Sequence, residues 1–281
     1  MALLKLQHTD GVRAQDQPPY GACAPNALQR GLIALARATP LSRGFFRRGV
    51  TRLIFALGFG RPLDVAFRGC AYRLHGGRNL IENGLLLTPD YNAADIDFLL
   101  RGAVAGDVFV DIGSHIGLYA LPLAQAAGPR GMVLAVDANP LMAERLAFNA
   151  AASGLGNVRI FACGLGDRDG RAALHIRKDD LAIVSIEEDP AGSIPVRTLA
   201  SVVAESGATR IAGLKIDVEG YEDKVLVPFL TAAPDGLLPR RIVIETSADG
   251  TDYPGCAAAF AARGYALVRR TRNNSLYERG G

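Results

Sequence analysis

An α/β fold built on a mostly parallel sheet, with an N-terminal helical extension and a closing antiparallel hairpin, is what this sequence predicts. Three observations predict it. From Asp107 onward, short Val/Ile/Phe runs bounded by glycine alternate with helix-patterned segments, and repeated strand–helix units give parallel strands covered by helices on both faces. The chain ends in YALVRRTRNNSLYER, two strand-like runs around Asn273-Asn274, which reads as a hairpin. Residues 26–58 carry helical periodicity outside those units.

Taken in order, residues 1–24 are polar, hold Pro18, Pro19 and Gly21, and read as loosely ordered. From about Asn26 to Gly58 two helices are expected, divided by Pro40 and Gly44. The second, around Phe45 to Leu57, sets Arg47, Arg48 and Arg52 beside Phe46, Leu53 and Phe55. Such a helix can lie on a membrane surface, although packing on the main domain is the commoner fate. Residues 62–90 read as short strands joined by Gly-rich turns. DVFVDIG is the first buried strand, followed by the helix IGLYALPLAQAAG despite Pro122. GMVLAVD is a second strand, PLMAERLAFNAAASG a helix between Pro140 and Gly154, and NVRIFACG a third strand. An irregular stretch, 165–197, precedes a helix at about 198–206. IAGLKIDVEG and RRIVIET are the fourth and fifth strands, and a helix at 254–263 leads to the hairpin. The chain thus divides into a basic, partly helical extension, 1–75, and a main domain, 76–281.

Charge supports that division. Residues 1–75 hold 11 Lys and Arg against 3 Asp and Glu, a balance of +8, while the remainder holds 20 against 25, a balance of −5. A basic arm on a mildly acidic body suits an anionic partner, be it nucleic acid, lipid headgroup or phosphorylated substrate; a solvated Arg-rich surface is the plain alternative. Cys23, Cys70, Cys163 and Cys256 follow no metal-ligand or disulfide spacing, which fits a reducing compartment. No signal-peptide core and no long apolar span are present, so a soluble, cytoplasmic protein is expected.

The chemistry concentrates at strand ends, where a doubly wound, Rossmann-like sheet binds its ligand. The turn Asp111-Ile112-Gly113-Ser114-His115-Ile116-Gly117 follows the first strand. Dinucleotide sites want GxGxxG so that backbone can approach a pyrophosphate. Here His115 stands where the second glycine should be, which crowds a pyrophosphate but is tolerable beside a sulfonium amino acid. Asp111 suits a cationic ammonium. Asp137 ends the second strand, followed by Asn139 and Pro140; its carboxylate can accept from both ribose hydroxyls of a nucleoside, or simply face a helix dipole. Asp167, closing the turn Cys163-Gly164-Leu165-Gly166-Asp167, is placed to accept from an adenine amino group. The fourth strand delivers LKIDVEGYE. Alternation puts Lys215, Asp217 and Glu219 on one side, if the strand runs that far, and Leu214 and Ile216 on the other. Two carboxylates and an ammonium there could orient or deprotonate a hydroxyl, or pair to satisfy one another. Asp217 with Glu245, at the end of the fifth strand, could take a divalent ion, but no His or third acid completes a ligand set and no metal is assigned.

These phrases together resemble the FkbM family of methyltransferases. The resemblance runs from about Asn79 to Glu245 and rests on GRNLIENG, FVDIGSHIGLYAL, VLAVDANP with the later Asn149, SIPVRTL and above all LKIDVEGYE. It implies a class I methyltransferase fold with a mostly parallel seven-stranded sheet, S-adenosylmethionine as cofactor, and O-methylation of a sugar, glycan or polyketide hydroxyl. Three positions depart from the family pattern. Ser114-His115 replaces the Ala-Asn of DxGANxG, Asn92 replaces an acid after Tyr91, and Ala200 replaces the aspartate after VxTL. The N-terminal helices lie outside the resemblance and could serve the acceptor or an interface in a homo-oligomer.

On this reading Asp111, Gly113, Ser114, His115, Gly117, Asp137, Asn139 and Asp167 form the cofactor site. Asp217 or Glu219 is the base for in-line methyl transfer, oriented by Lys215, with His115 as an alternative base; His75 and His175 are ordinary surface or loop histidines. A nucleic-acid (RNA) methyltransferase using the basic arm is one rival. Its only motif-like support, Asp16-Gln17-Pro18-Pro19-Tyr20, has an inserted Gln and follows no strand. An NAD oxidoreductase is disfavoured by the missing glycine, and a catalytically silent cofactor-binding subunit is disfavoured by the charged LKIDVEG run.

Overall fold

The structure is a computed structural model and describes residues 17–42, 44–76, 79–176, 184–247 and 249–280. Its centre is a seven-stranded sheet. Strands β3 (Val108–Ile112), β4 (Met132–Val136), β5 (Val158–Phe161), β10 (Gly213–Ile216) and β11 (Arg241–Glu245) are parallel; the hairpin β12 (Tyr265–Arg270) and β13 (Asn274–Arg279) closes one edge. Strand order is β12-β13-β11-β10-β3-β4-β5, and β13 runs antiparallel to both its neighbours, β11 and β12. The order reverses between β3 and β10, so both strands deliver their carboxyl ends to one crevice.

The apolar runs form strands because both faces are covered. Phe109, Val133 and Ala135 point into one core, while Val110, Ile112, Leu134, Leu214 and Ile216 point into the other. The first core is capped by α5 (Ala120–Ala127) and α6 (Pro140–Ala152), the second by α7 (Leu199–Ser206), α8 (Glu222–Ala232) and α9 (Pro254–Ala262). Pro122 is harmless because it is the third residue of α5, where the N–H has no helical partner.

Residues 17–75 extend this core. Helices α1 (Ala27–Arg37) and α2 (Gly44–Ala56) bury Ile33, Ala36, Ile54 and Phe55 in the same cluster as Phe109 and Leu123. The hairpin β1 (Leu63–Phe67) and β2 (Cys70–Leu74) is stitched to α6, with Arg73 N donating to Asn149 Oδ1 at 2.8 Å. Packing therefore continues across residue 75.

Several segments differ from the sequence expectations. Residues 17–24 are pinned rather than loose: Gly21 N and Cys23 N donate to Asp64 Oδ2, and the Arg73 guanidinium, paired with Asp64, donates to the Pro18 and Pro19 carbonyls. The Pro-Pro-Tyr segment is thus a structural clamp; residues 1–16 lie outside the described residues. Residues 80–87 form helix α3 (Leu80–Leu87), not strand, capped by Asn79. Gly84 is there for space, since a Cβ would meet the Tyr91 ring at 2.5 Å. Helix α4 (Ala93–Leu100) follows. The stretch 165–197 builds a second sheet from β6 (Gly164–Gly166), β9 (Ile194–Thr198), β7 (Gly170–Ile176) and β8 (Val184–Glu188). Among the described residues no helix is long and apolar enough to cross a membrane.

Candidate active site

Two adjoining cavities, of about 420 and about 360 Å³, open at the carboxyl ends of β3, β4, β10 and β11, and both are lined by Gly113, His115, Asp217 and Glu245. The second is completed by Asp137, Met142, Cys163 and Gly164. The first is completed by Tyr91–Asp95 at the start of α4, by Ser114 and Lys215, by the hairpin turn Thr271–Asn274, and by Arg47 of α2.

The loop after β3 shapes the wall between them. Gly113 N and Ser114 N both donate to Val136 O, tying the loop to β4. Gly113 adopts φ +72°, and a Cβ there would lie 2.0 Å from Asp217 O, so only glycine lets β3 and β10 end this close together. His115 also sits in the left-handed region, at φ 50°. Asn and His are among the residues that tolerate that region, which accounts for His where the FkbM pattern has Asn. Its backbone N donates to Asp137 Oδ2 at 2.6 Å, and Asn139 N donates to Asp137 Oδ1 at 2.8 Å. Asp137 is thus rigidly aimed, and each oxygen keeps a lone pair for hydroxyls in the second cavity. Burial raises its pKa.

Several predicted residues play supporting parts. Asp111 is fully buried under the loop and lines neither cavity; its nearest cation is Lys215 Nζ at 3.9 Å. Burial pushes its carboxyl up to about 6. Gly117 is a packing residue, where a Cβ would strike Leu146 at 2.5 Å. Asn139 caps α6, accepting from Leu141 N at 3.1 Å. Asp167 is exposed and lines a neighbouring depression that shares Leu165 and Tyr221 with the second cavity.

Lys215 is 3% exposed and spans the centre of the site. Nζ donates to Gly113 O at 3.0 Å and Ile112 O at 3.3 Å, and pairs with Asp217 Oδ2 at 3.5 Å. Burial alone would lower its pKa; the surrounding acids, Asp217 first, outweigh that and raise it. It remains an ammonium that holds Asp217 in place. His115 is no base. Its Nε2 lies 3.1 Å from Asn79 Nδ2, and because Asn79 Oδ1 is taken by Glu82 N, the amide must donate and Nδ1 carries the proton. Burial drives its pKa down to about 3. His75 also falls, to about 4, chiefly by burial, so it is no ordinary surface histidine; the side chain of His175 lies outside the described residues.

β10 ends at Ile216, so Glu219 is not on the strand as alternation suggested. It sits at φ 53° in a turn fixed by Glu222, which accepts from Val218 N and Gly220 N, both at 2.9 Å. That turn swings a Glu219 oxygen to within 4.8 Å of oxygens of Asp217 and Glu245, supplying the third acid absent from the sequence reading. The group can share protons or take a cation. Burial, then Asp217, holds the Glu245 carboxyl well above its ordinary range.

A stability prediction follows from the signs. A raised carboxyl keeps its proton when folded and loses it when unfolded, so it costs stability as pH rises toward its folded pKa. His75 and His115 act oppositely, but their contribution is complete above the unfolded value of 6.5. Glu82, at about 7, is largely spent there too. Between pH 7 and 8.5 Glu245 dominates, so Tm should fall by about 4–8 °C, for a loss of roughly 2 kcal/mol. Glu245→Gln should flatten that slope; a slope unchanged in the variant would refute the assignment.

Sequence reasoning missed the walls contributed from afar. Asp95 is buried and accepts from Asn274 Nδ2 at 2.7 Å and Tyr119 Oη at 3.2 Å, joining α4 to the hairpin turn. Arg47 comes from α2. Nothing local singled them out: Asp95 is one of two acids in α4 and Arg47 one of three arginines in α2.

The model of the methyltransferase FkbM domain matches residues 111–267, more than half of the sequence. The chain belongs to the FkbM methyltransferase family. FkbM membership agrees with the LKIDVEGYE and DIGSHIG segments that build the crevice. Among solved structures the chain is similar to M. jannaschii TYW2 in complex with AdoMet, at 15% identity and TM-score 0.41, covering 79% of this chain and 88% of that one. It is likewise similar to the O-methyltransferase TomG from Streptomyces achromogenes in complex with SAM, at 15% identity and TM-score 0.41, covering 67% and 81%. A third is an rRNA methylase from Streptococcus thermophilus, at 11% identity and TM-score 0.39, covering 67% and 95%. No curated protein matches the chain.

Proposed function

We propose that this FkbM member is an S-adenosylmethionine-dependent O-methyltransferase acting on a hydroxyl of a sugar, glycan or polyketide-like small molecule. The observation that carries the reading is Asp217, which lines both cavities and so stands between the one proposed for a nucleoside cofactor and the one proposed for an acceptor. When bound, the cofactor supplies a methyl carbon made electrophilic by a sulfonium. The chain fits such a group: Asp137 offers two aimed oxygens for ribose, Cys163 and Gly164 leave flat space for a purine, and no second glycine prepares a pyrophosphate site.

In this mechanism Asp217, held by Lys215, accepts the hydrogen bond of the acceptor hydroxyl and takes its proton as the oxygen attacks. Protonated Glu245 hydrogen-bonds to Asp217 and keeps one negative charge on the pair. Positioning within the paired cavities supplies the remainder of the acceleration.

Calorimetric titration with S-adenosylhomocysteine, with NADH in parallel, tests the cofactor. Micromolar binding of the former alone is expected; its absence in folded protein would overturn the enzymatic reading in favour of a silent relative. With an acceptor found by radiolabelled methyl transfer to a panel of sugars and polyketides, Asp217→Asn should cut kcat by about 10²–10⁴-fold while S-adenosylhomocysteine affinity stays near wild type. A loss below tenfold would reduce Asp217 to a positioning group.

A further inference from the structure

Helices α1 and α2 form an antiparallel pair, joined where Asn26 Nδ2 donates to Leu57 O and Gln29 Nε2 to Ile54 O. One side of the pair packs on the domain through Ile33, Ala36, Ile54 and Phe55. The other side is apolar too. Leu28 and Leu35, seven residues apart on α1, are 70% and 53% exposed; Phe46 and Leu53, seven apart on α2, are 59% and 52% exposed. Seven residues is two turns, so each pair shares a face. Leu53 is two residues from both Thr51 and Phe55, which are buried, so it points away from the domain. Phe59, just past α2, is 93% exposed and held at φ 57°, a costly conformation for an aromatic residue that gains nothing from burial.

Charge names the partner. Residues 26–61 contain seven arginines and not one acidic residue, although the chain as a whole holds 28. Arg48 and Arg52 are exposed too, on the flank of α2 a quarter to half a turn round from Phe46 and Leu53. Basic residues alone would suit a polyanion of any kind. Exposed leucine and phenylalanine on one flank of a helix with exposed arginine on the other suit a surface with anionic headgroups over hydrocarbon, because each apolar side chain gains by leaving water.

We propose that the outer face of α1 and α2 docks on an anionic lipid bilayer. Arg47, on the domain-facing side of the same helix, lines the first cavity, so the helix that docks also walls the proposed acceptor site, which favours an acceptor carried by the membrane. The docking claim stands apart from the methyl-transfer reading, since lipid binding and cofactor binding are measured separately.

The test is co-sedimentation of the full chain with phosphatidylcholine vesicles, with and without one-third phosphatidylglycerol. Binding at least about tenfold stronger to the anionic vesicles is expected, with each basic residue near the surface contributing appreciably. Phe46→Ser with Leu53→Ser should weaken it about tenfold, and Arg48→Glu with Arg52→Glu should abolish the preference for phosphatidylglycerol. Unchanged S-adenosylhomocysteine binding and melting would show that both double variants are folded. The proposal is overturned by absence of binding to anionic vesicles, by binding that survives both double variants, or by tighter binding to a short RNA that only the arginine variant removes.

Discussion

Gly113→Ala is expected to lower stability by about 3 kcal/mol and to abolish S-adenosylhomocysteine binding. Two costs add. An L-residue at φ +72° costs about 1–2 kcal/mol, and an extra methyl in a packed site costs about 1–3 kcal/mol. The methyl cannot be accommodated by a flexible neighbour, because the atom it meets at 2.0 Å is the backbone oxygen of Asp217. Asp217 N is itself bonded to Ile112 O at 3.1 Å, so relief requires β3 and β10 to part at the crevice. For a domain of this size that destabilisation corresponds to a Tm about 6–12 °C lower. Gly154→Ala is the internal control: its φ is +68° but no atom lies within 4 Å, so it should show the conformational cost alone and normal binding. Equal melting of the two variants would mean that the strands yield freely and that the close approach is not what glycine secures.

Asp137→Ala should weaken S-adenosylhomocysteine by about 10–100-fold while leaving the fold intact. The carboxylate makes charge-assisted bonds to two backbone N–H groups, and hydrogen bonds to a charged group are worth about 1.5–3 kcal/mol each. Its loss removes the two oxygens proposed for ribose and also frees the N–H groups of His115 and Asn139, which aim the loop and cap the following helix. Asp137→Asn separates these effects, since the amide retains one acceptor. Affinity intermediate between wild type and alanine is expected by calorimetry. Wild-type affinity in the alanine variant would move the cofactor out of the second cavity.

The parallel strands and the acids at their ends were legible because they are local signals. Met132–Val136, Gly213–Ile216 and Arg241–Glu245 are short, mostly apolar runs bounded by turn residues, and Asp137, Asp217 and Glu245 each follow or end one. Strand pairing then brings residues 111, 217 and 137 together whatever the loops do, since β3 lies between β4 and β10. Helix α8 escaped notice because Val225, Val227 and Pro228 break the expected composition; it is held by burial of Val225, Leu226, Phe229 and Leu230. Helix α3 was hidden by Gly84, whose reason is the Tyr91 ring seven residues on.

Taken alone, the amino-acid order determined the sheet, the glycine at 113, the family and the acid expected to hold a nucleoside, all of them carried by contiguous residues with a period or a spacing. Tertiary structure decided which charges act. Burial keeps Asp111 inside and makes His115 a poor base, the turn fixed by Glu222 turns Glu219 toward Asp217 and Glu245, and Asp167 lies on a depression that adjoins the second cavity. It also brought Arg47 and the Thr271–Asn274 turn to the cavity from opposite ends of the chain. The reason is physical: a side chain's charge and reach depend on the solvent and partners around it, and those come from residues far away in sequence.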